Sequence, residues 1–383
     1  MRNLHKIRLI DLKKSNNRII KKNFNNIKNV IYSGSYTNGK NVRKFEDIYS
    51  KYNNFKYCIC TNSGTSALHL SLLALNLKKN SEVIVSPHTF LATISAIEYA
   101  NLKPRFLDIN DEHLNLDSKN INKHISKRTK AIIFTDMHGN TTGFDRIKKI
   151  CAQRKISLIQ DSAQSHAIIN KKKLIKNFLK CQSFYPTKNL GGIAEGGCVL
   201  TNNKNLYKKI FYMKNWGIVN GTMTFQGFNY RMNELNSFFL IEKLKDLKKN
   251  NKIRRSVANI YKKKLVTLSG NKNIKFQNYE SINEHSFHHF IIRVNKSIRN
   301  NLMSFLSQNG IETNRHYKVP CHKEPYFTKK FNLRNLKLKN AENLYKEMIT
   351  VPCNEYLSVK EVILTCDIIK KFFTMKNHAN KRL

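Results

Sequence analysis

Gln182-Ser183-Phe184-Tyr185-Pro186-Thr187-Lys188-Asn189-Leu190-Gly191-Gly192, running on into Glu195-Gly196-Gly197, is the stretch on which the reading turns. One lysine among the 69 Lys and Arg residues of this chain says little by itself. The setting of Lys188 says more, with aromatic residues and a proline before it and small residues after it. Desolvation in such surroundings lowers a lysine's pKa and frees the amine for Schiff-base chemistry. Because most lysines are solvated surface charges, the stretch needs corroboration from elsewhere in the chain.

Two upstream segments provide it. Thr61-Asn62-Ser63-Gly64-Thr65-Ser66-Ala67-Leu68 joins a strand to a helix through small residues. Free N–H groups at a helix start, helped by hydroxyls, make a phosphate cradle, although Ser63 or Thr65 as a plain N-cap gives the same pattern. Leu158-Ile159-Gln160-Asp161-Ser162-Ala163-Gln164-Ser165-His166 sets an Asp at the carboxyl end of an apolar strand, where open α/β sheets bind ligands. A buried carboxylate needs a cationic partner. A protonated ring nitrogen would serve, and so would a turn that the Asp merely caps.

Around these segments, strand-like runs at 57–60, 82–86, 104–109, 131–135, 157–160 and 196–200 alternate with helical patterns at 65–77, 89–100 and 144–154. That alternation predicts an α/β fold with a mostly parallel sheet covered by helices. A single long helix is expected over Met232–Lys252. After it come a strand at 287–294, a helix near 298–309 and a terminal helix near 359–373, the pattern of a smaller α+β unit. The expected division is a large domain, 1–252, and a small one, 253–383.

The 383 residues include 40% hydrophobic ones, enough for two cores. No run approaches a membrane span, and Met1–Lys14 lacks the apolar core of a signal peptide, so a cytoplasmic location is expected. The eight cysteines form no C-x-x-C pair, which favours reduced thiols over a disulfide framework and predicts no metal site, including at His285, His288 and His289. The formal net charge of +44 fits a nucleic-acid binder in sign. Its lysines are spread from end to end with no aromatic-interleaved basic module, so compositional drift is the preferred account.

Taken in order, these segments closely resemble the DegT/DnrJ/EryC1/StrS family of sugar aminotransferases. Gly227-Phe228-Asn229-Tyr230-Arg231-Met232-Asn233-Glu234-Leu235 and Gly310-Ile311-Glu312-Thr313-Asn314-Arg315-His316-Tyr317 resemble it too. The resemblance implies an aspartate-aminotransferase-like fold (fold type I for pyridoxal phosphate), usually a homodimer with active sites shared between subunits. It implies pyridoxal 5′-phosphate as cofactor, held as a Schiff base by Lys188, with Asp161 on the ring nitrogen and Gln164 near the phenolic oxygen. Gly64, Thr65, Ser66 and Ser183 match phosphate-binding positions, Asn229 matches a phosphate contact from the partner subunit, and Phe90 matches the aromatic stacked on the ring. His316 and Tyr317 match a run near the sugar-nucleotide pocket. The implied substrates are a nucleotide-diphosphate keto sugar and glutamate, and the implied product is an amino sugar such as cell-surface polysaccharides contain. Two rivals remain. Sugar dehydratases of the same superfamily typically replace the Schiff-base lysine by histidine, and a degenerate, basic polyanion-binding protein would need no cofactor. The family usually has glycines after the His166 position and before the Ser-Phe segment. Here Ala167-Ile168-Ile169-Asn170-Lys171 and 174–180 stand instead, which predicts an altered backbone at those turns.

Overall fold

The computed structural model describes residues 6–169 and 175–380, the last four as backbone only. Seven strands form one sheet: β1 (Tyr57–Thr61), β2 (Glu82–Val85), β3 (Lys103–Phe106), β4 (Thr129–Thr135), β5 (Ser157–Asp161), β6 (Phe178–Ser183) and β7 (Gly197–Thr201). Their order is β1-β7-β6-β5-β4-β2-β3. Alternate positions along each strand serve different cores. Ile59, Val83, Ile133, Ile159, Leu179 and Val199 enter one, and Cys58, Ile84, Ile132, Leu158, Phe178 and Cys198 enter the other. A two-residue pleat covered on both faces requires this division.

Every neighbouring pair is parallel except the two made by β7, which runs antiparallel to β1 and β6. The expected mostly parallel sheet is therefore present, with one reversed strand. Its reversal follows from its connection. Residues 184–196 return directly from β6, and a parallel partner would have needed a crossover helix.

The sequence reading did not anticipate β6, because Lys180 stands in the middle of it. That side chain is buried, and its amine donates to the Ile168 carbonyl at 2.7 Å. Burial pushes its pKa down to about 8, against the pull of Asp136. A single satisfied hydrogen bond thus lets a lysine occupy a core position that pattern reading assigns to an apolar residue.

Helices α1 (Leu12–Tyr32), α2 (Lys40–Tyr52), α3 (Gly64–Ala74), α4 (Leu91–Tyr99), α5 (Phe144–Arg154) and α6 (Lys204–Met213) precede α7 (Glu234–Leu244) and α8 (Leu247–Lys264). The one long helix expected over Met232–Lys252 is thus two, parted at Lys245 and Asp246. Aspartate favours helix ends over interiors, and the Asp246 carboxylate pairs with Arg18 of α1 at 3.4 Å. The boundary expected at 252/253 falls inside α8. Val257, Ala258 and Tyr261 of that helix enter a third core, which Ile7 joins through a parallel bridge to Ile311. After a small hairpin of β8 (Ile218–Val219) and β9 (Thr222–Met223), this third core is built on the antiparallel sheet β10 (Lys275–Phe276), β11 (Phe290–Arg293) and β12 (Met348–Val351). Buried Arg254 ties α8 to the segments that flank β11 and β12. It donates to the carbonyls of Phe287 and Cys353 and pairs with Glu355 at 2.6 Å.

Part of the glycine-poor stretch, 170–174, lies outside the described residues. Ala167 itself adopts the left-handed conformation, φ 63°, which glycine takes without strain. A Cβ in that region costs roughly 1–2 kcal/mol. Ala167→Gly is expected to raise stability by about 1 kcal/mol, read as a higher denaturant midpoint at unchanged slope.

Candidate active site

The carboxyl end of β5 delivers Asp161 into a cavity of about 660 Å³. Its Oδ2 accepts from Thr93 Oγ1 at 2.8 Å and its Oδ1 from the Ala163 N–H at 3.2 Å. Burial pushes the carboxyl's pKa up, while these two bonds and the Lys188 charge pull it back. Thr93 is oriented in turn. Its hydroxyl lies 2.7 Å from that of Thr89, four residues earlier, and Thr135 donates to Thr89 at 3.2 Å.

Lys188 sits half-buried on the loop from β6 to β7 and lines the same cavity. Burial pushes its pKa down to about 8, against the opposing pull of Asp161 and Glu195. The loop is held from both sides. The Phe184 N–H donates to the Gly196 carbonyl at 2.7 Å, and the Gly192 N–H to the Phe184 carbonyl at 2.8 Å. Asn236 of α7 closes it, its Oδ1 accepting from Ile193 and Ala194 and its Nδ2 donating to the Glu195 carbonyl. Glycine is obligatory where this clamp is tightest, because a Cβ on Gly192 would lie 1.9 Å from Asn236 Oδ1.

The N-terminus of α3 forms another wall. Ser63 caps it, its hydroxyl accepting from the Ser66 N–H at 3.1 Å. That leaves the first-turn N–H groups of Gly64 and Thr65, both cavity residues, without a helical acceptor. Gly64 can only be glycine, since a Cβ there would stand 2.7 Å from the Cβ of Ser183. Phe90 is 50% exposed, its ring 5.1 Å from that of Tyr317, so an apolar face is left open to a planar ligand. Gln164 Oε1 accepts from the His138 N–H at 2.7 Å, which directs Nε2 towards the Tyr317 hydroxyl at 3.3 Å and fixes the orientation of the amide.

Nine of the residues singled out in the sequence thus meet in one cavity: Gly64, Thr65, Phe90, Asp161, Gln164, Ser183, Lys188, His316 and Tyr317. Ser66 stands behind the wall, donating its hydroxyl to Asn62 Oδ1 at 2.6 Å. Asn229 is exposed, away from the cavity, with its Oδ1 accepting from Arg231 Nε. Thr89, Thr93, Glu195, His288 and His289 also line the cavity and were not singled out. The two threonines had a legible signal, a pair of hydroxyls four apart opening an apolar helix; the histidines had none.

Comparison with known proteins places the chain in a family. The family model described as the DegT/DnrJ/EryC1/StrS aminotransferase family matches residues 17–370, and the chain belongs to that family. It is 30% identical over 343 residues to the UDP-4-amino-4,6-dideoxy-N-acetyl-beta-L-altrosamine transaminase of Campylobacter jejuni, covering 87% of this chain and 90% of that protein. The structure superposes on S. venezuelae DesV in complex with a ketimine intermediate, with a TM-score of 0.89 and 26% identity, covering 96% and 98% of the two chains. It also superposes on NtdA from Bacillus subtilis with bound cofactor PMP, with a TM-score of 0.88 and 26% identity, covering 96% and 86%. The fold is the type I pyridoxal-phosphate fold that the resemblance implies.

Two outcomes are expected. Asn236→Ala should lower stability by roughly 1–3 kcal/mol, because two loop N–H groups and a carbonyl lose their partner; thermal melting checks this. The second concerns pH. The Lys188 pKa is depressed in the folded chain, so below about 8 both states hold the proton and the buried charge opposes folding in full, whereas between about 8 and 10.5 only the unfolded chain keeps it. Stability of the cofactor-free protein should therefore gain from this group as pH rises from about 8 towards the ordinary lysine value of 10.5. Lys188→Met should be the more stable protein at pH 7, and urea titrations should show its advantage shrinking across that window.

Proposed function

We propose that this family member is a pyridoxal-phosphate-dependent aminotransferase that converts a nucleotide-linked keto sugar into an amino sugar, with glutamate as amino donor. The observation that carries the reading is the Lys188 amine and the buried Asp161 carboxylate lining one cavity, beside a helix start with unpaired N–H groups. These residues fit the cofactor. Asp161 would hold a proton on the ring nitrogen, the N–H groups of Gly64 and Thr65 with the Ser183 hydroxyl would take the phosphate, and Phe90 would cover one ring face. Gln164 Nε2, directed by His138, would meet the phenolic oxygen. When bound, the cofactor supplies an electron sink for the carbon that loses its proton.

The chain's own groups do the rest. The Lys188 Nζ would anchor the cofactor. As a free amine it would be a base near neutrality because burial has lowered its pKa, able to take the proton from the donor's α-carbon and return it as an acid. His316, its Nδ1 2.9 Å from Thr350 Oγ1, and Tyr317 stand on the side left for the sugar. Ser66 acts on the phosphate side only indirectly, through the cap of α3. The exposure of Asn229 suits a residue that serves the partner's site in a homodimer. The presence of Lys188 speaks against the dehydratase rival. Among the described residues no helix is long and apolar enough to cross a membrane, in keeping with work in the cytoplasm on precursors of cell-surface sugars.

Purified protein given pyridoxal phosphate should develop a visible Schiff-base absorption band that borohydride abolishes and that Lys188→Ala lacks. Protein that stays colourless and takes up no cofactor would defeat the proposal. Asp161→Asn should keep the band and lower kcat on the order of 10²-fold or more, measured with glutamate and a panel of keto-sugar nucleotides.

A further inference from the structure

Four buried side chains outside the cofactor residues form one hydrogen-bonded line. The Tyr345 hydroxyl lies 3.0 Å from His88 Nδ1, His88 Nε2 lies 3.0 Å from His138 Nε2, and His138 Nδ1 lies 3.3 Å from His289 Nδ1. Of the four, only His289 lines the cavity, where its ring stacks on that of His316, centroids 3.9 Å apart and 14° between planes. The sheet brings them together, since His88 follows β2 and His138 follows β4, neighbours in the sheet. A positive φ of 46° at Phe287 bends the chain so that consecutive residues, His288 and His289, both reach the cavity.

The direction of this line can be deduced. Burial lowers the pKa of all three histidines, that of His88 to about 3, so at neutral pH each carries one N–H and one bare nitrogen. A donor at one end then fixes every link. Among the described residues the buried Tyr345 hydroxyl has no acceptor except His88 Nδ1, and a buried hydroxyl is rarely left without one. Tyr345 therefore donates to His88 Nδ1, His88 donates through Nε2–H to His138 Nε2, and His138 donates through Nδ1–H to His289 Nδ1. The proton of His289 is left on Nε2.

His288 is set the opposite way. Asn189 spends its amide hydrogens on Asn251 Oδ1 and the Ser286 carbonyl, so its Oδ1 accepts, at 3.1 Å, from His288 Nδ1–H. His288 Nε2 is then bare. Its ring centroid is 4.1 Å from that of His289.

From this geometry we infer that His288 and His289 form a specificity site for the sugar's hydroxyl groups, His289 Nε2–H donating and His288 Nε2 accepting, with Tyr345, His88 and His138 as positioning residues. A hydroxyl both donates and accepts and so matches the pair. A carboxylate only accepts and would meet the lone pair of His288. The sugar assignment rests on the function proposed above; the proton order does not.

The test uses the holoenzyme with ¹⁵N-labelled histidine, and long-range ¹H–¹⁵N spectra at neutral pH assigned through single substitutions. His138 and His288 should be protonated on Nδ1 only, and His88 and His289 on Nε2 only. Tyr345→Phe should leave His138 and His289 as mixtures of tautomers. The reverse order in the unsubstituted protein, or a doubly protonated ring, overturns the inference. In kinetics, His289→Leu should raise KM for the keto-sugar nucleotide about tenfold and His289→Gln by less, with KM for glutamate and the Schiff-base band unchanged. A change that falls on glutamate instead overturns the sugar assignment. Absence of the band in the unsubstituted protein sinks the proposed function and with it that assignment, while the spectra still decide the proton order.

Discussion

The Asp161 carboxylate and the Lys188 amine share a water-poor cleft, each a charge that the interior would reject without the other or a ligand to answer it. An ion left unpaired in such a place costs several kcal/mol. The chain therefore commits much of its architecture to the pair. Asp161 ends β5 and is steadied by Thr93 from the first turn of α4. Lys188 comes from the loop that leaves the adjacent strand, β6, and returns directly as β7. That direct return is why β7 alone runs against its neighbours. The reversed strand and the placement of the amine thus have one cause.

A depressed pKa does not by itself mark the reactive lysine. Lys180 and Lys188 are both pushed down to about 8 by burial. Lys180 is pinned on the Ile168 carbonyl inside the core and does not line the active-site cavity, whereas Lys188 does. Perturbation indicates burial, and only access turns it into chemistry. The same distinction bears on the +44 charge. A very basic chain offers many amines, and the one that matters is the one sheltered from water yet open to a ligand.

How much of this was legible in the sequence depended on whether the determinant was local. The strands that alternate apolar residues were readable, and so were the Asp161 strand end and the small-residue start of α3. The strand β6 was not, because a single remote carbonyl makes Lys180 tolerable there. The break between α7 and α8 was hidden for a similar reason, since the partner of Asp246 is Arg18, far away in sequence. At Ala167 the sequence shows an ordinary side chain where the backbone takes a conformation suited to glycine, which no residue pattern reveals. Least visible was the line of His88, His138, His289 and Tyr345, spread over 258 positions of the chain (88 to 345); His289 drew notice only as an unlikely metal ligand, and the fold alone joins the four.

Under the function proposed, these histidines would let one cavity hold charge at the cofactor and meet the uncharged sugar ring of the substrate. Burial above all lowers the pKa values of His288, His289 and His316, with the Lys188 charge acting in the same direction. A cation there would raise the cost of protonating Lys188 further and, with the proposed cofactor bound, would compete with its ring nitrogen for Asp161. Neutral imidazoles avoid both penalties and still offer directional hydrogen bonds, which a wall of apolar residues would not. Under the function proposed, the amine that would anchor the cofactor also adds to the effect of burial in keeping these imidazoles neutral.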